Sequence, residues 1–558
     1  MSEKKYDVVI SYIDEVHSKI GASREILLTL REEFSFFANG YKFHPSFKKG
    51  LWDGKISMIN RGIFFNGLLK DIIRACKDKG LSVHVENIKN YMPHEIDDSV
   101  IDKLASYVKF PPYDYQLRSV KESLSKRKLL IISPTSSGKS LIAYLLYRYC
   151  SDNNIPLLIT VPSVGLVTQL YEDFKSYIND DHDIEKHVHM IYANQEKTTN
   201  KPCVITTWQS AYKMEPEWFS RFKFYIQDEA HLAESKSLTH IIESLKNCPF
   251  RIGMTGTLDG TSIHELEMRA RFGEVFRMVT TRELIDRGLV TDIEIKFIRL
   301  LYDKKDIDKM HAFCKNDYQR EIDYIINHDA RNEYLINLGL TLEGTTLMLF
   351  NRVEAHGEVM LEEIERRALS HKKKAVYIVG KTNAKERERI RKLLDADMPT
   401  FTVLTTEKGD IIIDDTYSID YIKNALKQDK TLDLTKFEEE CIHIDYSCID
   451  QPVTNVEQIE GSYILLASYG TMSTGISIKR LHNLILCHPY KSKILNLQSI
   501  GRILRKSVYK NKVFLYDFSD DFRKGKKVNH VYKHGIERLA IYESEQFDYD
   551  LLEDKLGN

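Results

Sequence analysis

The sequence predicts an α/β protein with two tandem parallel-sheet lobes, a small α+β domain ahead of them and an acidic insertion in the second lobe. Two observations carry most of this. From about residue 113 to 283, short apolar runs alternate with helical stretches: KLLIIS, LLITVP, CVITT, FYIQDE and RIGMTG. A second series of the same kind follows: TLMLF, AVYIVG, YILLAS, NLILCH and KVFLYDF. Runs of this length, apolar throughout and separated by helices, are expected of strands buried on both faces of a parallel sheet.

The amino-terminal segment reads differently. It joins short β-like runs to an amphipathic stretch, EILLTLREEF, and then to FANGYKFHPSFKKGLWDGKISMINRGIFFNG, rich in glycine, aromatics and lysine. Turns joining short strands account for that composition, and Pro111 and Pro112 mark a boundary. A second irregularity lies between AVYIVG and YILLAS. Residues 401–460 hold 14 acidic and 5 basic residues, a local net of −9. The runs TFTVLTT, GDIIID and CIHIDY predict a small folded insertion over about 397–460, either surface decoration or a regulatory, partner-binding element. The expected domains are residues 1–95, 96–285, 286–520 with that insertion, and a helical extension over 521–558.

Composition sets bounds on function. The 558 residues carry 80 basic and 81 acidic side chains, net −1, so nucleic-acid contact has to come from local patches. The eight cysteines are scattered without a CxxC pair, which argues against a zinc ribbon or an iron–sulfur cluster and fits a reducing cytoplasm. No apolar run approaches the roughly 18 residues of a membrane span. A near-neutral charge without heptads favours a monomer.

The strongest local signal is SPTSSGKS, residues 133–140, set between a strand and a helix. Backbone N–H groups of such a turn cradle phosphates at a helix N-terminus. Pro134, Thr135, Ser136, Ser137 and Gly138 form the cradle, Lys139 is expected at the β and γ phosphates, and Ser140 offers a hydroxyl to Mg²⁺. Ser133 stands where the usual pattern has Gly or Ala. The strand FYIQ then ends in Asp228-Glu229-Ala230-His231, 89 residues after Lys139. Asp228 is positioned to hold Mg²⁺, and Glu229 to orient and deprotonate the attacking water.

At this point the chain resembles the superfamily 2 helicases, and the resemblance implies two RecA-like lobes and ATP hydrolysis coupled to nucleic-acid unwinding. His231 completes the DEAH motif as a catalytic-site residue. Tyr113-Asp114-Tyr115-Gln116 resembles the element that reads adenine, with Gln116 at the base edge. VPSVGLVTQ (161–169) and TTWQS (206–210) resemble segments that touch the nucleic-acid backbone, and Thr255-Gly256-Thr257 the coupling motif. ASYGTMSTGIS (467–477) and QSIGRILR (498–505) match the fifth and sixth motifs. Arg502 and Arg505, three apart on a helix, are the expected arginine fingers, a device worth on the order of 10³–10⁵ in rate. Expected strand grips are Thr206, Thr207 and Gln209 in the first lobe and Asn351, Arg352, Thr474 and Gly475 in the second, with Gly475 also near the nucleotide. The competing reading of each is a loop-capping hydroxyl or amide.

A finer resemblance extends over nearly the whole chain except the acidic insertion. FSFFANGYKFHPSFKKGLWDGKISM (34–58), EWFSRF (217–222), FGEVFRMVTT (272–281) and YKHGIERL (532–539) look like the recombination helicases of T4-type phages. It implies a motor that remodels forks, D-loops, R-loops and junctions in recombination, replication and repair, in the host cytoplasm. Branched or duplex DNA, or a DNA–RNA hybrid, is the implied substrate, with single-strand-binding or recombination proteins as partners. Lys42, Lys48, Lys49 and Lys55, with Tyr41, Phe43 and Trp52, supply cations and aromatics for DNA, unless those aromatics form a miniature core. The alternatives are an RNA helicase and a strand-annealing protein with a secondary ATPase. A nuclease-coupled translocase ranks below both, because no PD…ExK-like cluster is present.

Overall fold

The computed structural model describes residues 6–556 apart from 39, 193–195, 233–234, 259–261, 397, 427–430, 445–447, 449–450, 474–477, 490–498 and 502. The chain divides into two compact units, Met1–Thr280 and Thr281–Asn558. Among the described residues no helix is long and apolar enough to cross a membrane, and all eight cysteines are free and buried.

The first unit opens with a five-stranded mixed sheet in the order Ile59–Asn60, Ile63–Phe65, His17–Ala22, Val8–Tyr12 and Val83–Val85. Arg61 and Gly62, both at positive φ (51° and 79°), make the tight turn between its first two strands, the geometry that matches the twist of a two-residue hairpin. Its core, including Ile10, Ile20, Leu30, Phe64 and Ile72, is continuous with Ala270 of the helix Ser262–Phe272. Gly67 permits that approach: a Cβ there would lie 2.0 Å from the Arg269 carbonyl oxygen.

The first large sheet is parallel throughout, in the order Val188–Ile191, Cys203–Thr207, Leu157–Val161, Phe224–Gln227, Phe250–Thr255, Lys128–Ile132 and Glu274–Arg277. Leu157–Val161 and Phe224–Gln227 are buried at every residue, which is why they read as unbroken apolar runs.

The second unit holds another seven-stranded parallel sheet. Its order is Lys373–Ile378, Ser462–Ser468, Thr345–Phe350, Leu481–Leu486, Lys512–Asp521, Asp292–Leu301 and Asp548–Lys555. Five of these strands are the expected ones; Asp292–Leu301 and Asp548–Lys555 are additional. The carboxyl-terminal segment therefore departs from the helical extension expected over 521–558. The helix His530–Ser544 is followed by an edge strand of this sheet. Lys296–Asp550 (2.6 Å) and Arg299–Glu553 pair that strand's acids with bases on the next strand, cross-strand pairing that lets an acidic, nearly fully exposed segment hold β structure.

The acidic insertion is folded. Ile442–Ile444, Gly409–Ile413, Thr400–Thr406 and Asn455–Glu460 form an antiparallel four-stranded sheet in that order. Leu404, Ile411, Ile413, Ile422, Phe437 and Cys448 supply its own core.

Candidate functional site

The residues expected to bind the nucleotide gather at the carboxyl edge of the first large sheet. The strand Lys128–Ile132 runs into the loop 133–138, and the helix Lys139–Asp152 begins directly after it. Ser133 N–H donates to the Thr255 carbonyl (2.9 Å), tying the loop to the neighbouring strand end. Inside the loop the Ser133 and Ser137 hydroxyls are 2.9 Å apart, and Ser137 Oγ donates to the Pro134 carbonyl (2.7 Å). Ser136 (φ 68°) and Gly138 (φ 88°) both adopt left-handed backbone, which turns successive N–H groups toward one concavity. Pro134 and Thr135 are half-buried, and Ser136 is exposed at the rim.

Gln116 closes one wall. Its Oε1 accepts from Tyr113 N–H (2.9 Å), and its Nε2 donates to the Ser137 carbonyl (3.0 Å). A Cβ on residue 138 would stand 2.3 Å from that Nε2, so glycine is what lets the amide lie across the loop. Tyr113 and Tyr115 stack beside it at 5.5 Å.

Lys139 Nζ points to the Ser133 carbonyl (3.4 Å) and the Glu229 carboxylate (3.4 Å). Asp228 and Glu229 follow the strand Phe224–Gln227, and Glu229 holds a left-handed backbone (φ 45°) while its N–H donates to Asp228 Oδ1 (2.9 Å). Burial, with the Glu229 charge adjacent, pushes the Asp228 carboxyl up, and Lys139 opposes it. A hydroxyl and two carboxylates beside a phosphate cradle are oxygen donors that fit a hard divalent ion such as Mg²⁺, which takes one or two protein oxygens plus phosphate and water. Ser140 Oγ lies 2.8 Å from the Tyr177 hydroxyl, a partner that sequence reasoning did not supply.

His231 joins the carboxylate strand to the coupling motif. Its Nδ1 lies 2.6 Å from Thr255 Oγ1, and that hydroxyl donates to the Thr257 carbonyl (2.9 Å). With the threonine proton committed, the imidazole Nδ1–H is the donor. Burial brings His231 down to about 4, so the ring is neutral at physiological pH. Beneath the acidic pair, Gln227 Oε1 accepts from Thr160 Oγ1 (2.6 Å) and the Tyr225 hydroxyl (2.5 Å), and Gln227 Nε2 donates to the Asp228 carbonyl (3.0 Å). This buried network fixes the strand end, and no local motif announces it.

The expected nucleic-acid grips divide. Thr206 is fully buried, and its hydroxyl donates to the Ile191 carbonyl (2.9 Å), so it is a core residue and not a grip. Thr207 caps the short helix Trp208–Ala211, accepting from Ser210 N–H (3.2 Å), the loop-capping alternative. Gln209 is exposed, and its Nε2 donates to the Pro162 carbonyl (3.1 Å), which brings the two expected backbone-contacting segments together. In the second unit Asn351 is exposed and Arg352 is paired with Asp323. Arg352 also lines a cavity of about 430 Å³ with Glu354, Gly380 and Lys381. Thr474, Gly475 and Arg502 lie outside the described residues. Arg505 follows the helical residues 499–501 and 503, half-buried, with its carbonyl accepting from the Thr291 hydroxyl (3.2 Å).

In the amino-terminal domain Lys48 and Lys49 are exposed, whereas Lys55 pairs with Glu32. Tyr41 stacks on Phe37 (4.5 Å) and meets Phe47 edge-on (4.8 Å), and Trp52 Nε1 donates to the Lys55 carbonyl (2.8 Å). Phe37, Tyr41 and Phe47 pack on one another as a partly exposed surface cluster.

Comparison with known proteins places this geometry in a family. Residues 7–86 match the model for "DNA helicase UvsW, N-terminal", and residues 109–260 match that for "Type III restriction enzyme, res subunit". The ATP-dependent DNA helicase uvsW of Enterobacteria phage T4 is 31% identical over 566 residues, covering 97% of this chain and 98% of its own. A DNA 3'-5' translocase, XPB2, of Sulfurisphaera tokodaii is 24% identical over 422 residues, 74% of this chain and 83% of its own. The crystal structure of T4 UvsW superposes with a TM-score of 0.46 at 29% identity, covering 99% of this chain and 100% of that one. With its likeness to the phage T4 protein running the length of both chains, this protein belongs to the UvsW family of helicases.

Proposed function

We propose that this protein is an ATP-dependent DNA helicase or translocase that remodels branched DNA: forks, D-loops, R-loops and junctions. What supports the reading is the convergence of Lys139, Asp228, Glu229, His231 and Thr255 at one edge of the first large sheet, in a chain so similar to the T4 helicase. Residues 1–95 serve as the duplex-binding domain, and residues 96–285 bind the nucleotide.

In this reading the loop 134–138 cradles the phosphates, Gln116 reads the adenine edge and Lys139 exchanges its Glu229 contact for the β and γ phosphates. Ser140 and Asp228 would hold Mg²⁺, which neutralises charge developing on the phosphates. Glu229, released from Lys139, accepts the proton of the attacking water at its carboxylate. His231 passes the state of the phosphate site to Thr255 and so to the coupling motif. Arg502 and Arg505 supply positive charge from the second lobe, and Gln209, Asn351, Arg352 and Thr474 grip the strand without reading sequence. The protein acts as a monomer in the host cytoplasm, alongside single-strand-binding or recombination proteins.

The test is ATP turnover and unwinding on a fork, a four-way junction, an R-loop, a linear duplex and RNA at fixed salt. Stimulation by DNA, loss of hydrolysis in Lys139→Ala and retained DNA binding in that variant are expected. Stimulation by RNA alone, or unchanged hydrolysis without Lys139, refutes the reading.

A further inference from the structure

The strands Ser35–Phe37 and Lys55–Ser57 pair antiparallel, and the chain between them, 38–54, makes an excursion containing the turn Tyr41–Phe43 and the short helix Pro45–Lys48. Most of its aromatics are consumed in holding it together. Tyr41 lies between Phe37 and Phe47, and Trp52 meets His44 edge-on at 5.2 Å. Gly54 brings the backbone against Tyr41, where a Cβ would fall 2.4 Å from the ring. Two apolar side chains are left over. Phe43 is 79% and Leu51 78% exposed, and among the described large hydrophobic residues only Val508 is more so.

The segment is cationic. Lys42, Lys48 and Lys49 are exposed and, among the described residues, form no ion pair with a carboxylate. The single acid of the segment, Asp53, accepts from the Lys55 N–H at its base (2.9 Å). An exposed phenyl ring and leucine on a short segment that also carries three exposed lysines, in a chain of net charge −1, are complementary to a base flanked by phosphates. The paired bases of an intact duplex are already stacked and offer such a ring no free face. A branch point does.

We propose that Phe43 and Leu51 form a stacking tip for an unpaired base at a DNA branch point, with Lys42, Lys48 and Lys49 on the adjacent phosphates. This rests on the DNA reading above and deepens it: the tip gives the sequence-tolerant motor its preference for branched over linear DNA.

The experiment measures affinity of the full chain for a fork carrying 2-aminopurine at the branch, and for a linear duplex of the same length, across a salt series. Phe43→Ala should weaken fork binding about tenfold, the scale of one base–aromatic stack, with the linear duplex and the salt slope unchanged and quenching of 2-aminopurine lost. Phe43→Trp should keep both affinity and quenching. The double variant Lys48→Ala with Lys49→Ala should weaken fork and duplex alike and reduce the salt slope by about 2. Fork binding by Phe43→Ala equal to the unaltered protein overturns the proposal, as does an equal loss on fork and duplex. Unchanged DNA binding in every variant means the tip docks something other than DNA and also overturns it. If the unaltered protein binds no DNA at all, the proposed function fails first, and the two failures are told apart.

Discussion

Lys510 tests how the segment carrying Arg505 is held. Its side chain is 6% exposed, and Nζ donates to the Ile503 carbonyl (2.6 Å) and the Leu481 carbonyl (2.7 Å). Thr291 N–H takes the next carbonyl, that of Leu504 (2.7 Å), and its hydroxyl takes that of Arg505. Three consecutive carbonyls at a helix end, which have no intrahelical donors, are thus fixed from outside. Burial lowers Lys510 to about 8, with Asp395 opposing. The unfolded lysine titrates near 10.5, so below pH 8 the folded state carries the whole cost of a buried charge, about 3 kcal/mol. Between pH 8 and 10.5 the folded amine is neutral while the unfolded one still binds a proton. Stability from this group therefore rises with pH, by about 2 kcal/mol between pH 7 and 9.5.

Lys510→Met removes that titration and leaves two buried carbonyls without their donor, which costs about 1–3 kcal/mol each against the relieved charge. The stability of the unaltered protein minus that of the variant should accordingly grow by about 2 kcal/mol from pH 7 to 9.5. Lys373, also brought down to about 8 by burial, is common to both proteins and cancels. The assay is urea unfolding by far-UV circular dichroism at both pH values. Tryptophan fluorescence marks the first unit's transition, because Trp52, Trp208 and Trp218 all lie within it. A difference that stays constant or shrinks as pH rises would show that Lys510 does not carry a buried charge, and the account of the helix anchor fails with it.

Two further outcomes follow from the nucleotide site. Gly138→Ala places a methyl 2.3 Å from Gln116 Nε2 on a backbone at φ 88°; displacing the amide and straining the turn, about 1–2 kcal/mol for the latter, should raise the KM for ATP about tenfold and lower the melting temperature by a few degrees. An unchanged KM would mean that Gln116 has no part in nucleotide binding. Tyr177→Phe takes away the hydroxyl 2.8 Å from Ser140 Oγ, and binding of a fluorescent ATP analogue with Mg²⁺ should weaken several-fold, the lower side of the effect of losing a partner behind a metal ligand. Equal weakening without Mg²⁺ would make Tyr177 a packing residue only.

What was legible in the sequence is what lies close together along it. SPTSSGKS and DEAH are short runs whose function resides in neighbouring backbone and side chains, so spacing alone brought Gly138, Lys139, Asp228 and Glu229 forward. Buried strands such as LLITV announce themselves because both faces are apolar. Asp548–Lys555 does not, because it is an edge strand whose acids are matched by bases 254 positions away. Thr206 was misread for a related reason. The resemblance of TTWQS to a backbone-touching segment put Thr206 among the grips, yet its strand is covered on both faces and the hydroxyl closes onto Ile191. Tyr177 and Lys510 were invisible because their partners are set by packing, and nothing in the local pattern distinguishes either from a core tyrosine or a surface lysine.

The amino-terminal domain is tied to the first large sheet by more than its position in the chain. Glu15 reaches two strands of the large sheet: its carboxylate pairs with Lys128 (3.1 Å), and its carbonyl accepts from the fully buried Arg251 (2.6 Å). Lys128 begins the strand that feeds the phosphate loop, and Arg251 lies near the start of the strand that ends in Thr255. Arg269–Asp71 (2.5 Å) and Lys70–Glu274 add pairs on the flank, and the Gly67 contact puts backbone against backbone, with no side chain between to yield. A domain swinging on a linker needs none of this. The buried Arg251 and the core shared with Ala270 make domain and lobe one packed body at the amino ends of two strands of the large sheet, Lys128–Ile132 and Phe250–Thr255.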